Sequence, residues 1–247
     1  MDKTILSVES LSKNFGGVAA IVKVSFSLAQ GELLGIIGPN GSGKTTLVNL
    51  LTGFVRPDSG TVIYQGRDIT GKAPYKIAEI GIARTFQMVK PFYQLSAFKN
   101  LVIPLYSSRV KKLRGGKYGV AIDLLEDVGF ERDSFVPYKI ASSLPHGYLK
   151  RLELARCLAL RPDLLILDEL FSGMSMSEVA STLPIIEKLN GEGLTIMMVE
   201  HRLKELFRIA HRVIALNFGA KIADGPPRTM MENEAVKAAY LGSEEEE

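Results

Sequence analysis

Apolar residues along this chain follow two rhythms, and their alternation predicts an α/β fold. Glu32-Leu33-Leu34-Gly35-Ile36-Ile37, Leu164 to Leu167 and Thr195 to Val199 are short apolar runs of buried-strand length. Elsewhere apolar residues recur every three or four positions, the stripe of a helix on a core. Such stripes are Leu47, Leu50, Leu51 and Phe54; Tyr118, Ala121, Ile122, Leu125 and Val128 before Gly129; and Leu203, Leu206, Phe207 and Ala210. Leu149, Leu152, Ala155 and Leu158 form another, closed by Pro162, with Lys150, Arg151 and Arg156 off the stripe.

The remaining stretches read as hairpins and short elements. Ile5 to Val8 and the alternating Val24 to Leu28 flank Gly16-Gly17, and Thr61 to Tyr64 lies between turns at Pro57-Asp58-Ser59-Gly60 and Gln65-Gly66, which together predict an antiparallel flap. Pro74 to Ile80 reads as a short helix ended by Gly81, followed by a strand from Ile82 to Phe86 that runs into Gln87. Arg212 to Gly225 reads as a hairpin around Asn217-Phe218-Gly219. Ser175 and Glu178 fit a capping box opening a helix in which Pro184 falls, so the helix either kinks or starts later. The layout is one domain over 1–247: core and flap from about 1–87 and 161–225, a helical subdomain at about 88–160, and a C-terminal helix with an acidic tail at 226–247.

Composition narrows the partners. A formal charge of +3 over 247 residues is too small to make nucleic acid a main partner. Arg109, Lys111, Lys112, Arg114 and Lys117 form a basic stretch with no interleaved aromatic, which reads as a solvated loop. Glu244 to Glu247 reads as a solvated tail. Cys157 is the one cysteine, so no internal disulfide forms and a reducing compartment is expected. No apolar run approaches the roughly 18 residues of a spanning helix, and Met1-Asp2-Lys3 lacks a signal-peptide core; a soluble chain that can still dock on a membrane protein is expected.

The chemistry centres on Gly38-Pro39-Asn40-Gly41-Ser42-Gly43-Lys44-Thr45, a glycine, four free positions, then Gly-Lys-Thr, set between a strand and a helix. Glycines let backbone N–H groups wrap a polyphosphate, and the helix N-terminus adds about half a positive charge. Lys44 would bridge the β- and γ-phosphates of a bound nucleotide, the Thr45 hydroxyl would bind Mg²⁺, and Thr46 completes the nucleotide-binding set. Asp168 and Glu169 follow a buried strand: Asp168 would hold the hydration shell of Mg²⁺, and Glu169 would deprotonate the attacking water. Gln87 and His201 also end strands, where ligands of α/β sheets bind; Gln87 would touch Mg²⁺ or water, and His201 the γ-phosphate. Phe15, before the flap turn, suits either an adenine ring or the core.

The phosphate loop, Gln87, Asp168-Glu169 and His201, in this order and spacing, resemble the nucleotide-binding subunit of an ABC transporter over nearly the whole chain. The branched-chain amino acid importer group is suggested by Gly66-Arg67-Asp68-Ile69-Thr70-Gly71, Gly81-Ile82-Ala83-Arg84-Thr85-Phe86-Gln87, Val199-Glu200-His201 and Ala239-Tyr240-Leu241-Gly242. The resemblance implies a RecA-like P-loop NTPase core with an antiparallel β flap and an inserted helical subdomain. It also implies Phe15 as adenine-stacking aromatic, Gln87 as coupling glutamine, Glu169 as general base and His201 as switch histidine. Such subunits work in pairs on two ATP molecules at the cytoplasmic face of the cell membrane. They drive transmembrane permease subunits that take solute from a periplasmic or extracellular binding protein. Urea, amide or lipid-related permeases use similar subunits, and a soluble or regulatory ABC ATPase with weak hydrolysis is the other alternative.

The chain departs from the family at its signature. Where the family has Leu-Ser-X-Gly-Gln, this chain has Leu144-Pro145-His146-Gly147-Tyr148, and proline brings neither hydroxyl nor N–H to the γ-phosphate of an opposite subunit. Leu170 replaces the usual proline, and Ser175-Met176 the usual Asn-Pro. Either the chain pairs with a different, intact ATPase or it self-pairs and hydrolyses slowly. Its own Walker residues are complete and only what it lends is damaged, which favours the heterodimer.

Overall fold

A computed structural model describes residues 3–110 and 116–241. Its strands are β1 (Thr4–Phe15), β2 (Val18–Ala29), β3 (Leu33–Ile37), β4 (Ser59–Tyr64), β5 (Arg67–Asp68), β6 (Ile82–Arg84), β7 (Leu164–Asp168), β8 (Thr195–Val199), β9 (Arg212–Asn217) and β10 (Ala220–Gly225). The helices are α1 (Lys44–Leu51), α2 (Pro74–Glu79), α3 (Ala97–Val102), α4 (Lys117–Asp127), α5 (His146–Leu158), α6 (Met176–Gly191), α7 (Leu203–Ile209), the single turn α8 (Pro227–Met230) and α9 (Glu234–Leu241).

Two sheets divide the strands. A six-stranded sheet runs β10-β9-β3-β8-β7-β6, parallel except for the β9–β10 hairpin at its edge. A four-stranded antiparallel flap runs β2-β1-β4-β5. Every residue of β3, β7 and β8 is buried, which is why these strands read as unbroken apolar runs. Successive side chains leave opposite faces. Leu33, Ile37, Leu165, Leu167 and Met198 join a core with α3 to α6, whereas Leu34, Ile36, Ile166, Met197 and Val199 join one with α1 and the flap. The order β3-β8-β7-β6 sets four carboxyl-end loops side by side, and the pairing of Asp168 with Val199 puts Glu169 level with the segment carrying His201.

Several elements differ from the sequence reading. The strand before Gln87 ends at Arg84, and α1 ends at Leu51, leaving Phe54 half exposed with its ring edge-on to Phe86 at 5.5 Å. Tyr118 is exposed and stacks on Phe98 instead of joining the stripe of α4. Helix α6 neither starts late nor stops: the Ser175–Glu178 capping box is present and the helix continues through Pro184. Pro184 and Ala180, whose carbonyl the proline leaves without an N–H, are both exposed residues, so the missing bond falls on the solvent side of the helix. Arg109 is no solvated loop residue: its Nε donates to Leu160 O at 3.0 Å and its Nη2 pairs with Asp163 at 2.8 Å. Lys111, Lys112 and Arg114 of that basic stretch, and the tail from Glu244 to Glu247, lie outside the described residues. Among the described residues no helix is long and apolar enough to cross a membrane.

Candidate functional site

The loop after β3 needs its glycines. A Cβ on Gly38 (φ 152°) would lie 2.3 Å from the Leu216 carbonyl oxygen, and one on Gly43 (φ 100°) 2.6 Å from that of Ala20. Lys44 is buried inside the loop, where Nζ donates to Gly38 O at 2.7 Å and Pro39 O at 2.9 Å. Burial pushes its pKa down, against the opposing charges of Glu169 and Asp168, which places both acids within electrostatic reach of the ammonium. The start of the loop is held from the far end of the chain: Gly38 N–H donates to the Tyr240 hydroxyl at 2.9 Å.

A cleft of about 400 Å³ opens on this loop. Asn40, Gly41, Ser42, Gly43, Lys44, Thr45 and Thr46 form one wall, and Gln87, Glu169 and His201 another, so ten residues singled out in the sequence converge here. Glu169 is the junction. Gln87 Nε2 donates to its Oε2 at 2.6 Å, and His201 Nε2 lies 2.9 Å from its Oε1. The Glu169 backbone, at φ 50°, turns the carboxylate out of β7 into the cleft. Loop N–H groups and an ammonium on one side, with an oriented carboxylate on the other, suit a polyphosphate and a water attacking it.

Asp168, expected to hold the hydration shell of Mg²⁺, is engaged on one oxygen by an ion pair. Its Oδ2 pairs with Arg84 Nη2 at 2.6 Å, and Arg84 also donates to Asn49 Oδ1 at 2.7 Å and Thr52 Oγ1 at 3.1 Å. Asp168 Oδ1 is buried and has no partner among the described residues. Phe15 does not line the cleft. It sits at the end of β1, half exposed, with Lys13 Nζ 5.4 Å from its ring centre. The aromatic that does line the cleft is Phe218 at the β9–β10 turn, 84 % exposed at φ 42°. Its only sequence signal was its place between Asn217 and Gly219 in a turn.

The signature segment is self-occupied. Pro145 precedes α5 and gives no side-chain cap, and His146 Nε2 lies 3.3 Å from Ser172 O. A Cβ on Gly147 would meet Glu178 Oε1 at 2.2 Å, so the Glu178 carboxylate covers the first turn of α5. The Ser175 N–H and hydroxyl, then the Gly147 N–H, hold that carboxyl below its ordinary range.

A larger cavity, about 450 Å³, lies away from the loop between α2, α5 and Phe86. Phe54, Tyr75 and Phe86 line it, and Glu153 and Arg156 bring to it buried atoms, Oε2 and Nε, that have no partner among the described residues. Glu153 Oε1 accepts the Phe86 N–H at 3.1 Å, and burial pushes its pKa up to about 7. This groove therefore shares the Phe86-Gln87 segment with the nucleotide cleft. Lys150, off the stripe in the sequence, is 1 % exposed and donates to Gln87 O and Glu169 O. Arg84, Lys150 and Tyr240 carry no signal in the sequence because each acts through long-range contacts that no local period encodes.

The family described as ABC transporter matches residues 21–172, and that described as branched-chain amino acid ATP-binding cassette transporter matches residues 220–246. The chain is 34% identical to the high-affinity branched-chain amino acid transport ATP-binding protein BraF of Pseudomonas aeruginosa, covering 98% of this chain and 99% of the relative. Identity and coverage are the same for LivG of Escherichia coli, which carries the same description. The lipopolysaccharide export system ATP-binding protein LptB of Haemophilus influenzae is 31% identical, covering 98% of each chain. Among solved structures, the ADP conformation of an ATP-binding cassette of an ABC transporter matches with a TM-score of 0.85 at 31% identity, covering 97% of this chain and 99% of that one.

Proposed function

Because the chain belongs to the ABC transporter family, and so binds nucleotide and hydrolyses ATP as the ATP-binding subunit of a transporter, we propose that it powers an importer of branched-chain amino acids. The observation that carries the hydrolytic reading is the Glu169 carboxylate, held on one oxygen by Gln87 and on the other by His201, across the cleft from the phosphate loop. The solute reading is supported by the C-terminal match over 220–246 and by the names of BraF and LivG. The likeness to LptB keeps a lipid-related permease as the second reading.

Loop N–H groups and Lys44 grip the polyphosphate, and Asn40 to Thr46 set its register. Glu169 takes the proton of a water whose oxygen attacks the γ-phosphorus, as the bond to the β–γ bridging oxygen breaks and ADP leaves. Gln87 and His201 fix the direction of the carboxylate. Mg²⁺, when bound, screens charge on the phosphates; Thr45 and Asp168 would hold it. Asp168 Oδ1, buried and without a partner among the described residues, suits a metal-bound water, and Gln87, on the cleft wall, would be the third polar group toward that ion. Phe15 is assigned to the adenine as the resemblance implies; Phe218 is the aromatic that lines the cleft.

The pair is a heterodimer in this reading. Pro145 has no N–H to offer, and Glu178 covers the turn at Gly147, so the second composite site lacks what a partner's γ-phosphate would need. The transmembrane permease seats on the groove lined by Phe54, Tyr75 and Phe86, where Glu153 accepts the N–H of Phe86, the residue before Gln87. This places the chain at the cytoplasmic face, with core and flap, helical subdomain and C-terminal helix acting as one ATPase domain. A solute-binding protein meets only the permease, and nucleic acid has no part.

Tagged full chain, purified from cells with its associated subunits, tests this. Co-purification of a membrane permease and a second ATPase, with leucine-stimulated phosphate release, is expected. A purely soluble complex, or uptake that follows urea, amides or lipid instead, overturns the importer reading. Survival of full turnover in Glu169→Gln overturns the assignment of the base.

A further inference from the structure

We propose that Lys150 is a positioning residue for hydrolysis, carrying the position of α5 to the Gln87–Glu169 pair through two backbone carbonyls. The inference rests on Glu169 being the base. Lys150 lies in the second turn of α5, buried, with Nζ 2.7 Å from Gln87 O and 3.2 Å from Glu169 O. Those carbonyls belong to the loops that leave β6 and β7, the same loops whose side chains meet at 2.6 Å. Glu153, three residues on, takes the Phe86 N–H. One stretch of α5 thus grips the Phe86-Gln87 segment at a donor and an acceptor while also holding Glu169.

A buried ammonium is expensive unless its surroundings repay desolvation. Among the described residues Lys150 makes no direct ion pair, yet Glu153, Glu200, Glu169 and Asp168 all act on its charge, opposing the downward push of burial on its pKa. A cation used on two carbonyls, amid four acids, is poorly explained by packing alone. It does explain how the Gln87 carboxamide stays in register with Glu169: neither backbone can shift without breaking a charge-assisted bond. The signature segment opens this helix, so displacement of α5 reaches the reacting carboxylate through Lys150.

The test uses the purified transporter complex carrying wild-type chain, Lys150→Met, Lys150→Arg or Glu169→Gln. Expected for Lys150→Met is a loss in kcat of about 100-fold, the scale of a 1 Å misplacement, with KM for ATP within about twofold. Hydrogen exchange of the peptide spanning residues 84–90 should quicken, and Lys150→Arg, which keeps a cation and its donors, should restore most of kcat. Wild-type kcat and exchange in folded Lys150→Met overturn the inference, as does a KM rise that accounts for the whole loss. If Lys150→Met does not fold, Lys150→Gln is measured by the same criteria. Failure of Met, Gln and Arg variants alike to fold also overturns it, since Lys150 is then a core residue. If Glu169→Gln retains turnover, the reading of the base fails instead, and the two failures are told apart.

Discussion

The carboxamide of Gln87 donates to Glu169 Oε2 at 2.6 Å, joining the loop after β6 to the loop after β7 across 82 positions of sequence. With His201 on the other oxygen, both sites of the carboxylate are assigned before a water arrives. A base held this way needs little reorganisation at the moment of reaction.

Replacing Glu169 by Gln keeps the shape and removes the proton acceptor. General-base catalysis is worth roughly 10²–10⁴-fold, so phosphate release should fall at least about 100-fold while ATP binding, read by equilibrium titration, stays within about threefold. The variant should melt within a few degrees of wild type.

Gln87→Ala and His201→Ala should each slow hydrolysis, and their effects should not add. Both act on one carboxylate, so a double-mutant cycle should return a coupling energy of about 0.5–3 kcal/mol in the activation free energy. Additive losses would mean that the two side chains serve separate ends of the reaction.

How much of this was written in the sequence depends on the range of the interaction. The phosphate loop, β7 with Asp168-Glu169 and β8 with His201 were legible because each is a local pattern: a run of buried-strand length ending in polar residues. The flap hairpin and the Ser175–Glu178 capping box were legible for the same reason. The Arg84–Asp168 pair, Lys150 on two carbonyls and Tyr240 on Gly38 join segments 84, 63 and 202 positions apart, the Lys150 figure being that of its Gln87 contact. No periodicity foretells such pairings. Lys150 lies off the apolar stripe and is buried all the same, because a helix that packs on a second layer buries more than its stripe. The long flap strands β1 and β2 were seen only at their alternating ends, since their middles are broken by bulges and polar residues.

Tyr240→Phe should weaken the nucleotide site from a distance. The hydroxyl accepts the Gly38 N–H at the first residue of the phosphate loop, within a contact that burial makes drier than water. Removing one partner of such a bond costs about 1–3 kcal/mol. Part of that should appear as a lower melting temperature and part as a severalfold rise in the Kd for ATP, measured by titration, with kcat at saturating ATP little changed.

Glu153 gives the stability of the chain a pH dependence whose sign can be worked out. Burial raises its pKa from 4.5 to about 7, so between those values the folded state holds a proton that the unfolded chain has released. The stabilisation is full below about pH 4.5 and is lost as pH rises through 7. At 1.36 kcal/mol per unit the shift corresponds to about 3 kcal/mol, burial outweighing the Phe86 N–H and the nearby charges of Lys150, Arg156 and Arg84. Glu153→Gln keeps an oxygen for the Phe86 N–H and removes the titration. Its melting temperature should match wild type near pH 5 and exceed it by several degrees at pH 8, in denaturation scans over that range. A wild-type melting temperature at pH 8 would mean that the carboxylate is stabilised in the groove as well as the neutral acid, and that the neighbouring cations outweigh its burial.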